Sequence, residues 1–230
     1  MGKTNQRTRS AQPVVQPKGG VTRQPPVTTR GARTRKALVD AARVVFERDG
    51  YPDSRLTDIT AEANCSTGSF YTYFDNKEEI FAAVLEAAKE DMMHPGMEHV
   101  DATDDPYALD DPYALIEASN RSYFEAYGRN AKLMGLLEQV ASIDPQFREV
   151  RRRRSAEFIE RNARGIANLQ QLGIADADLD PRMASRALSA MVSRLAFYTY
   201  VLDEWGSLDD LVFTSTRIWC NALQIHRHKN

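Results

Sequence analysis

An all-α fold of about nine helices is what this sequence predicts: three short N-terminal helices containing a helix-turn-helix, followed by a larger helical region. Three observations carry the prediction. Apolar residues recur at three- and four-residue spacing through almost every segment after residue 33. The segments are punctuated by helix start and stop signals, among them Gly50, Gly173 and the Asp-Pro pairs at 111–112, 144–145 and 180–181. Finally, the stretch Leu56 to Lys77, LTDITAEANCSTGSFYTYFDNK, places turn residues, caps, hydroxyls and aromatics at spacings that make a compact two-helix corner.

The 230 residues, 42% hydrophobic, hold enough apolar material for one large or two small cores. The net charge of -2 conceals an asymmetry, because every charged residue from Met1 to Val39 is Lys or Arg and the first acid is Asp40. A basic arm on a mildly acidic body points to a polyanionic partner. Cys65 and Cys220 are far apart and fall within helical patterns, so no disulfide framework is expected and a reducing cytoplasm fits. There is no secretory signal pattern, and no apolar run approaches the roughly 20 residues of a membrane helix. The expectation is a cytoplasmic protein with no membrane association.

Met1 to about Thr29 mixes Gln, Thr, Gly and Pro with scattered cations and reads as a disordered basic arm. Arg30, Arg33, Arg35 and Lys36, nearest the folded part, are placed to add phosphate or minor-groove contacts. Residues 30–80 form the expected helix-turn-helix domain, with the motif itself at about 56–75, and residues 81–230 a ligand-binding and dimerisation domain.

The first helix is predicted from about Arg33 to Asp49, with Leu38, Ala41, Ala42, Val45 and Phe46 on one face and Gly50 as its stop. Thr57 is read as the N-cap of a short second helix whose buried side holds Ile59 and Ala63. Asn64 sits where a tight turn wants a left-handed residue, Cys65 plugs the corner and Ser66 caps the third helix. Within that helix, Thr67 to Phe74, Phe70 and Phe74 fall on the buried side. Gly68, Ser69 and Thr72 fall opposite, and Tyr71 and Tyr73 on the flanks. A face with one missing side chain, small hydroxyls and bracketing phenols can lie close to a groove floor while the tyrosines reach phosphate. Lys77, at the start of a fourth helix, is placed to meet phosphate together with nearby backbone amides.

The order of these features resembles the N-terminal domain of the TetR family of bacterial transcriptional repressors. The resemblance rests on Gly-Tyr after helix one, a capping threonine, an Ile-x-x-x-Ala helix, Ser-x-Gly-x-aromatic-Tyr-x-Tyr-Phe and Asn-Lys-Glu-Glu, over about Arg33 to Leu85. It implies DNA contact at Thr57, Thr67, Gly68, Tyr71, Tyr73 and Lys77; Ser66, Ser69, Thr72 and Arg33 complete the expected interface. The chain departs from the family pattern at Asn64, Cys65, Phe70 and Tyr73, where glycine, valine, leucine and histidine are usual.

Helix four is predicted from Asn76 to about Met93, and His94 to Asp111 as a loop containing a tandem DDPYAL repeat. His94, Glu98 and His99 lack a further ligand at metal-binding spacing, so a solvated loop is expected there, with no metal and no cofactor. Helix five is read over Pro112–Arg129, helix six over about Asn130–Ser142 and helix seven from Asp144-Pro145 to about Leu172. Arg151 to Arg154 wrap around helix seven and read as a solvated face served by acids such as Glu149 and Glu157. Helix eight opens at Asp180-Pro181 and helix nine spans about Ser207–His226. Their broad apolar coverage suits a four-helix bundle between two subunits. DNA geometry asks for such a homodimer, since two recognition helices then lie about 34 Å apart on a palindromic double-stranded operator.

Helices five to eight are rich in rings and thioethers, and the resemblance implies an inducer pocket among them. Tyr123, Phe124, Tyr127, Phe158, Met191 and Tyr198 are its candidate residues, though the same side chains suit a filled core. No arginine cluster is tied to these aromatics in the sequence pattern, which points to an apolar or amphiphilic ligand. Two functions follow: a repressor released from its operator by such an inducer, or a DNA-binding structural or partner-docking protein with a filled core. No nucleophile, base and orienting acid converge, so no enzyme is expected and no catalytic residue is assigned.

Overall fold

The computed structural model describes residues 28–93, 111–204 and 206–225, and nine helices account for nearly all of them, with no strand among the described residues. Most of the basic arm, the DDPYAL repeat and the His94, Glu98 and His99 group lie outside the described residues, as does the predicted end of helix nine.

Helix α1 (Thr29–Asp53) begins earlier than the apolar pattern indicates, because the Thr28 hydroxyl accepts the Gly31 amide at 3.1 Å and so starts the helix within the arm. Gly50, at φ 80° and ψ 165°, breaks it where the sequence places a stop, and residues 51–53 form only a final turn. Helix α2 (Leu56–Glu62) departs from the sequence reading. Arg55 is the residue preceding it and takes the Asp58 and Ile59 amides on its own carbonyl, so Thr57 lies inside the first turn and caps nothing.

Asn64 adopts φ 50°, the left-handed turn conformation, and the Cys65 amide closes back on the Thr60 carbonyl at 2.9 Å. Ser66 then caps α3 (Thr67–Tyr73), its hydroxyl accepting the Ser69 amide at 3.1 Å. Helix α4 (Lys77–Met93) is opened by two side-chain caps: Asn76 accepts the Glu79 amide at 2.8 Å, and Glu79 accepts the Asp75 amide at 2.7 Å.

In the larger part, Asp-Pro signals do what their chemistry allows. Asp111, Asp144 and Asp180 cap α5 (Pro112–Arg129), α7 (Pro145–Gln171) and α8 (Pro181–Tyr200), with the proline in each first turn. Helix α6 (Ala131–Ile143) follows α5 almost without interruption, turning at the fully buried Asn130. Helix α9 (Leu208–Ala222) starts in a Ser207/Asp210 capping box and ends four residues before the predicted His226, because Gln224 turns into the left-handed region at φ 58°.

Helix α5 packs chiefly on α9 and α7 on α8, while α1 contacts α2, α4 and α6. The buried Asn120 amide donates to Thr216 Oγ1 at 3.0 Å, tying α5 to α9 through a satisfied polar pair. Buried side chains from Leu38 through Ile225 make one connected core. It carries an aromatic joint at its waist, where Phe147 of α7 meets Tyr51 at 5.7 Å and Phe81 at 5.2 Å between ring centroids. Both cysteines are free, and burial pushes the Cys220 thiol up to about 11. Among the described residues no helix is long and apolar enough to cross a membrane, and no cluster of metal-ligating side chains occurs.

Candidate nucleic-acid interface

Helix α3 is anchored by Phe70 and Phe74, both fully buried with ring centroids 5.7 Å apart, and Arg35 of α1 covers the Phe74 ring at 5.0 Å. This anchoring turns the opposite face outward. Thr67, Gly68, Tyr71 and Thr72 are exposed, Ser69 and Tyr73 partly so, and Thr57 of α2 is exposed beside them. Arg33 is exposed on the first turns of α1.

The hydroxyls on this surface are not equivalent. Ser66 is committed to capping and shares a 3.1 Å hydrogen bond with Ser69 Oγ. Thr72 Oγ1 donates to the Gly68 carbonyl at 3.3 Å and keeps only acceptor capacity outward. A Cβ added to Gly68 would meet nothing nearer than Ser66 Oγ at 3.8 Å, so the absent side chain serves no packing within the fold. It leaves room for a surface that comes from outside.

Lys77 stands at the start of α4, where the sequence places it, but its side chain turns back onto the end of α1. Its ammonium donates to the carbonyls of Tyr51 at 2.8 Å, Ser54 at 3.1 Å and Pro52 at 3.2 Å, and lies 4.7 Å from the Tyr51 ring centroid. All three ammonium hydrogens are therefore engaged by the end of α1. The cause is Gly50: by stopping the helix it leaves carbonyls at its end with acceptor capacity that the lysine reaches. Tyr51 in turn donates to Glu78 Oε1 at 3.2 Å, and burial together with that carboxylate raises the phenol far above its ordinary pKa. The Asn76 and Glu79 caps correspond to an N-x-x-E spacing that the sequence carries.

The family described as "Bacterial regulatory proteins, tetR family" matches residues 38–84, which run from α1 into α4 and contain Thr57 through Lys77 but not Arg33. Residues 38–84 are a TetR-family DNA-binding domain. The chain is 25% identical over 167 residues to the HTH-type transcriptional regulator TtgR of Pseudomonas putida, covering 70% of this chain and 78% of that protein. To the HTH-type transcriptional regulator UidR of Escherichia coli it is 22% identical over 160 residues, with coverage of 70% and 78%. Among solved structures, a TetR-family regulator from Syntrophomonas wolfei superposes with a TM-score of 0.69 at 18% identity, over 86% of this chain and 98% of that one. SmeT, described as the repressor of the Stenotrophomonas maltophilia multidrug efflux pump SmeDEF, superposes with a TM-score of 0.65 at 23% identity, over 82% and 89%. At these identities the two structures share the fold.

The larger part of the chain holds an open cleft of about 2120 Å³ between α4, α5, α7 and α8. Tyr123, Tyr127 and Phe158 line it. Phe124, Met191 and Tyr198 do not: Phe124 is fully buried in the core, and the cleft face of α8 runs through Arg186, Ser189, Ser193 and Phe197, to one side of Met191 and Tyr198. Tyr198 is 40% exposed, with Arg194 over its ring at 5.5 Å. The Tyr123 hydroxyl bonds to Ser193, and burial raises its pKa. The expectation that no arginines accompany the aromatics is overturned, since Arg154 and Arg161 lie over Phe158 at 5.6 and 5.3 Å.

Proposed function

We propose that this chain is a homodimeric TetR-family repressor that reads a palindromic operator with α3 and leaves it when a small molecule enters the cleft. The outward row Thr67, Gly68, Tyr71, Thr72 and Tyr73, with Thr57 and Arg33 beside it, carries the reading. The α3 face combines a close-approach gap with hydroxyl donors and acceptors and carries no long charged side chain to hold the helix off a groove floor. Affinity then depends on phosphate contacts and on the second subunit.

Dimerisation through α8 and α9 is supported by the large apolar side chains these helices and their connection leave in solvent. Leu202 is 50%, Phe213 60% and Ile218 41% exposed, which is costly unless a partner covers them. The open cleft favours the ligand-responsive reading over a DNA-binding protein with a filled core.

Footprinting of the purified full chain on DNA flanking its own coding region tests the proposal. A protected palindrome whose occupancy falls when a cleft ligand is added is the expected result. Protection of one half-site only would count against the dimer, and protection that no thermally stabilising compound relieves would count against the ligand response.

A further inference from the structure

Among the four consecutive arginines of α7, one behaves differently from the rest. Arg151 pairs with Glu138 at 2.7 Å, Arg152 with Glu149 at 2.6 Å, and Arg153 approaches Glu149 at 3.8 Å, all as exposed pairs. Arg154 turns inward. Its Nη2 lies 2.9 Å from Met92 Sδ, and its Nε is buried with no hydrogen-bond partner. Glu157, the acid nearest in sequence, is engaged elsewhere, 2.9 Å from Lys89.

Two turns along the same face, Arg161 is in a similar condition. It donates to the Met93 carbonyl at 2.9 Å and, through longer bonds at 3.3 and 3.4 Å, to Asn162 Oδ1. No carboxylate meets it among the described residues, and burial lowers its pKa from the ordinary value, with Tyr123 and Arg164 as its titratable neighbours. Spacing of four and three residues puts Arg154, Phe158 and Arg161 in one row, so the ring is flanked by two guanidinium groups. The carboxylates lining the cleft are already engaged by other cations: Glu90 by Lys89 at 3.7 Å, Asp91 by Arg129 at 3.0 Å, Glu138 by Arg151, and Glu160 by Arg182 at 2.7 Å.

A second observation is independent of these charges. The cleft-lining Trp219 has its indole Nε1 buried without a partner. The buried, unpartnered polar atoms on cleft-lining residues are thus two N–H donors, Arg154 Nε and Trp219 Nε1. Buried donors without acceptors, beside cations without counter-charges, are costly in an empty cleft and complementary to a ligand rich in anionic oxygen.

We propose that the cleft binds an anionic amphiphile, a carboxylate or phosphate ester joined to an apolar body. The acid sits against Arg154 and Arg161, and the body lies along Phe158, Tyr123 and Val192. This assignment rests on the reading of the cleft as the regulator's ligand site and names the class of ligand it takes. Arginine suits the role because its planar fork meets either acid in a bidentate way while its own face stacks on the ring.

Isothermal titration of the full chain with decanoate, decyl phosphate, 1-decanol and decyltrimethylammonium separates charge from apolar body. At least one of the two anions is expected to bind ten-fold or more tightly than decanol, with the cation weakest; comparison of decanoate with decyl phosphate tells which acid is preferred. Arg154→Gln and Arg161→Gln should each erase most of that preference, and Arg161→Lys should restore part of it. Equal binding of decanol, no binding of either anion, or an anion preference that survives both glutamine variants would each overturn the assignment. Operator release is measured separately. An anion that binds through the arginine pair without releasing DNA sinks the ligand response and leaves the assignment standing, whereas release by decanol alone does the reverse.

Discussion

Lys77 Nζ lies 2.8 Å from the carbonyl oxygen of Tyr51 and 4.7 Å from the centroid of the same residue's ring. One side chain at the start of α4 thus holds both the backbone end of α1 and the aromatic that Phe147 packs against. The lysine acts first as a clamp, fixing the corner from which α2 and α3 depart.

The clamp predicts two separable effects of Lys77→Met. Three carbonyls lose a donor, the Tyr51 carbonyl keeping only that of the Ser54 hydroxyl, so the chain should be destabilised by about 1–3 kcal/mol, read from urea unfolding. The slope of log affinity for operator DNA against log salt should stay almost constant, because the ammonium is spent on the protein. A slope reduced by about one would show instead that a phosphate displaces one of the carbonyls when DNA binds.

Gly68→Ala separates folding from recognition. The added methyl group has open space within the protein and replaces a glycine in the first turn of α3, so stability should rise by about 0.4–1 kcal/mol. The same methyl stands between α3 and a groove floor, and operator affinity should fall by about ten-fold or more, equivalent to about 1.4 kcal/mol. Unchanged affinity in a gel-shift titration would mean that this face of α3 does not approach DNA closely.

What the sequence made legible divides along a physical line. Helix periodicity, Asp-Pro starts, the Gly50 stop and the left-handed Asn64 are local, and they stand where the pattern placed them. The destinations of long side chains are decided by tertiary neighbours. Lys77 went to carbonyls that only the folded end of α1 presents, and Arg154 turned inward from a run whose other members are solvated. Phe124 and Tyr123 are adjacent in sequence and both aromatic, yet one is core and the other lines the cleft, a distinction set by where α7 and α8 lie.

Lys89 offers a pH test of the α4–α7 contact. Burial works against its charge, but hydrogen bonds and attraction from Glu86 and Glu157 outweigh that and hold its pKa at about 12, above the ordinary 10.5. A pKa raised by folding contributes stability that is complete below the unfolded value and fades as pH climbs through the folded one. The unfolding free energy should therefore drop between about pH 10.5 and 12. Buried tyrosines add to the same drop, so the comparison is with Lys89→Met, whose loss over that window should be smaller by about 1–2 kcal/mol. Parallel curves for the two proteins would show that the bridge between the helices is energetically idle.

Phe213, on the outward side of α9, gives the sharpest test of assembly. At 60% exposure its ring contributes little to the core of one chain, so Phe213→Glu should leave the thermal unfolding of an isolated subunit within about 0.5 kcal/mol of its starting stability. If α9 pairs with its counterpart across a two-fold axis, the substitution meets its own symmetry mate and sets two carboxylates in one apolar interface, a doubled penalty that a surface residue would not incur. Sedimentation at micromolar concentration should then show a dimer for the native chain and a monomer for the variant. Operator binding should collapse with it, since a single short recognition helix spans too few base pairs to hold alone. A variant that sediments and binds DNA like the native chain would move the subunit interface away from this face of α9.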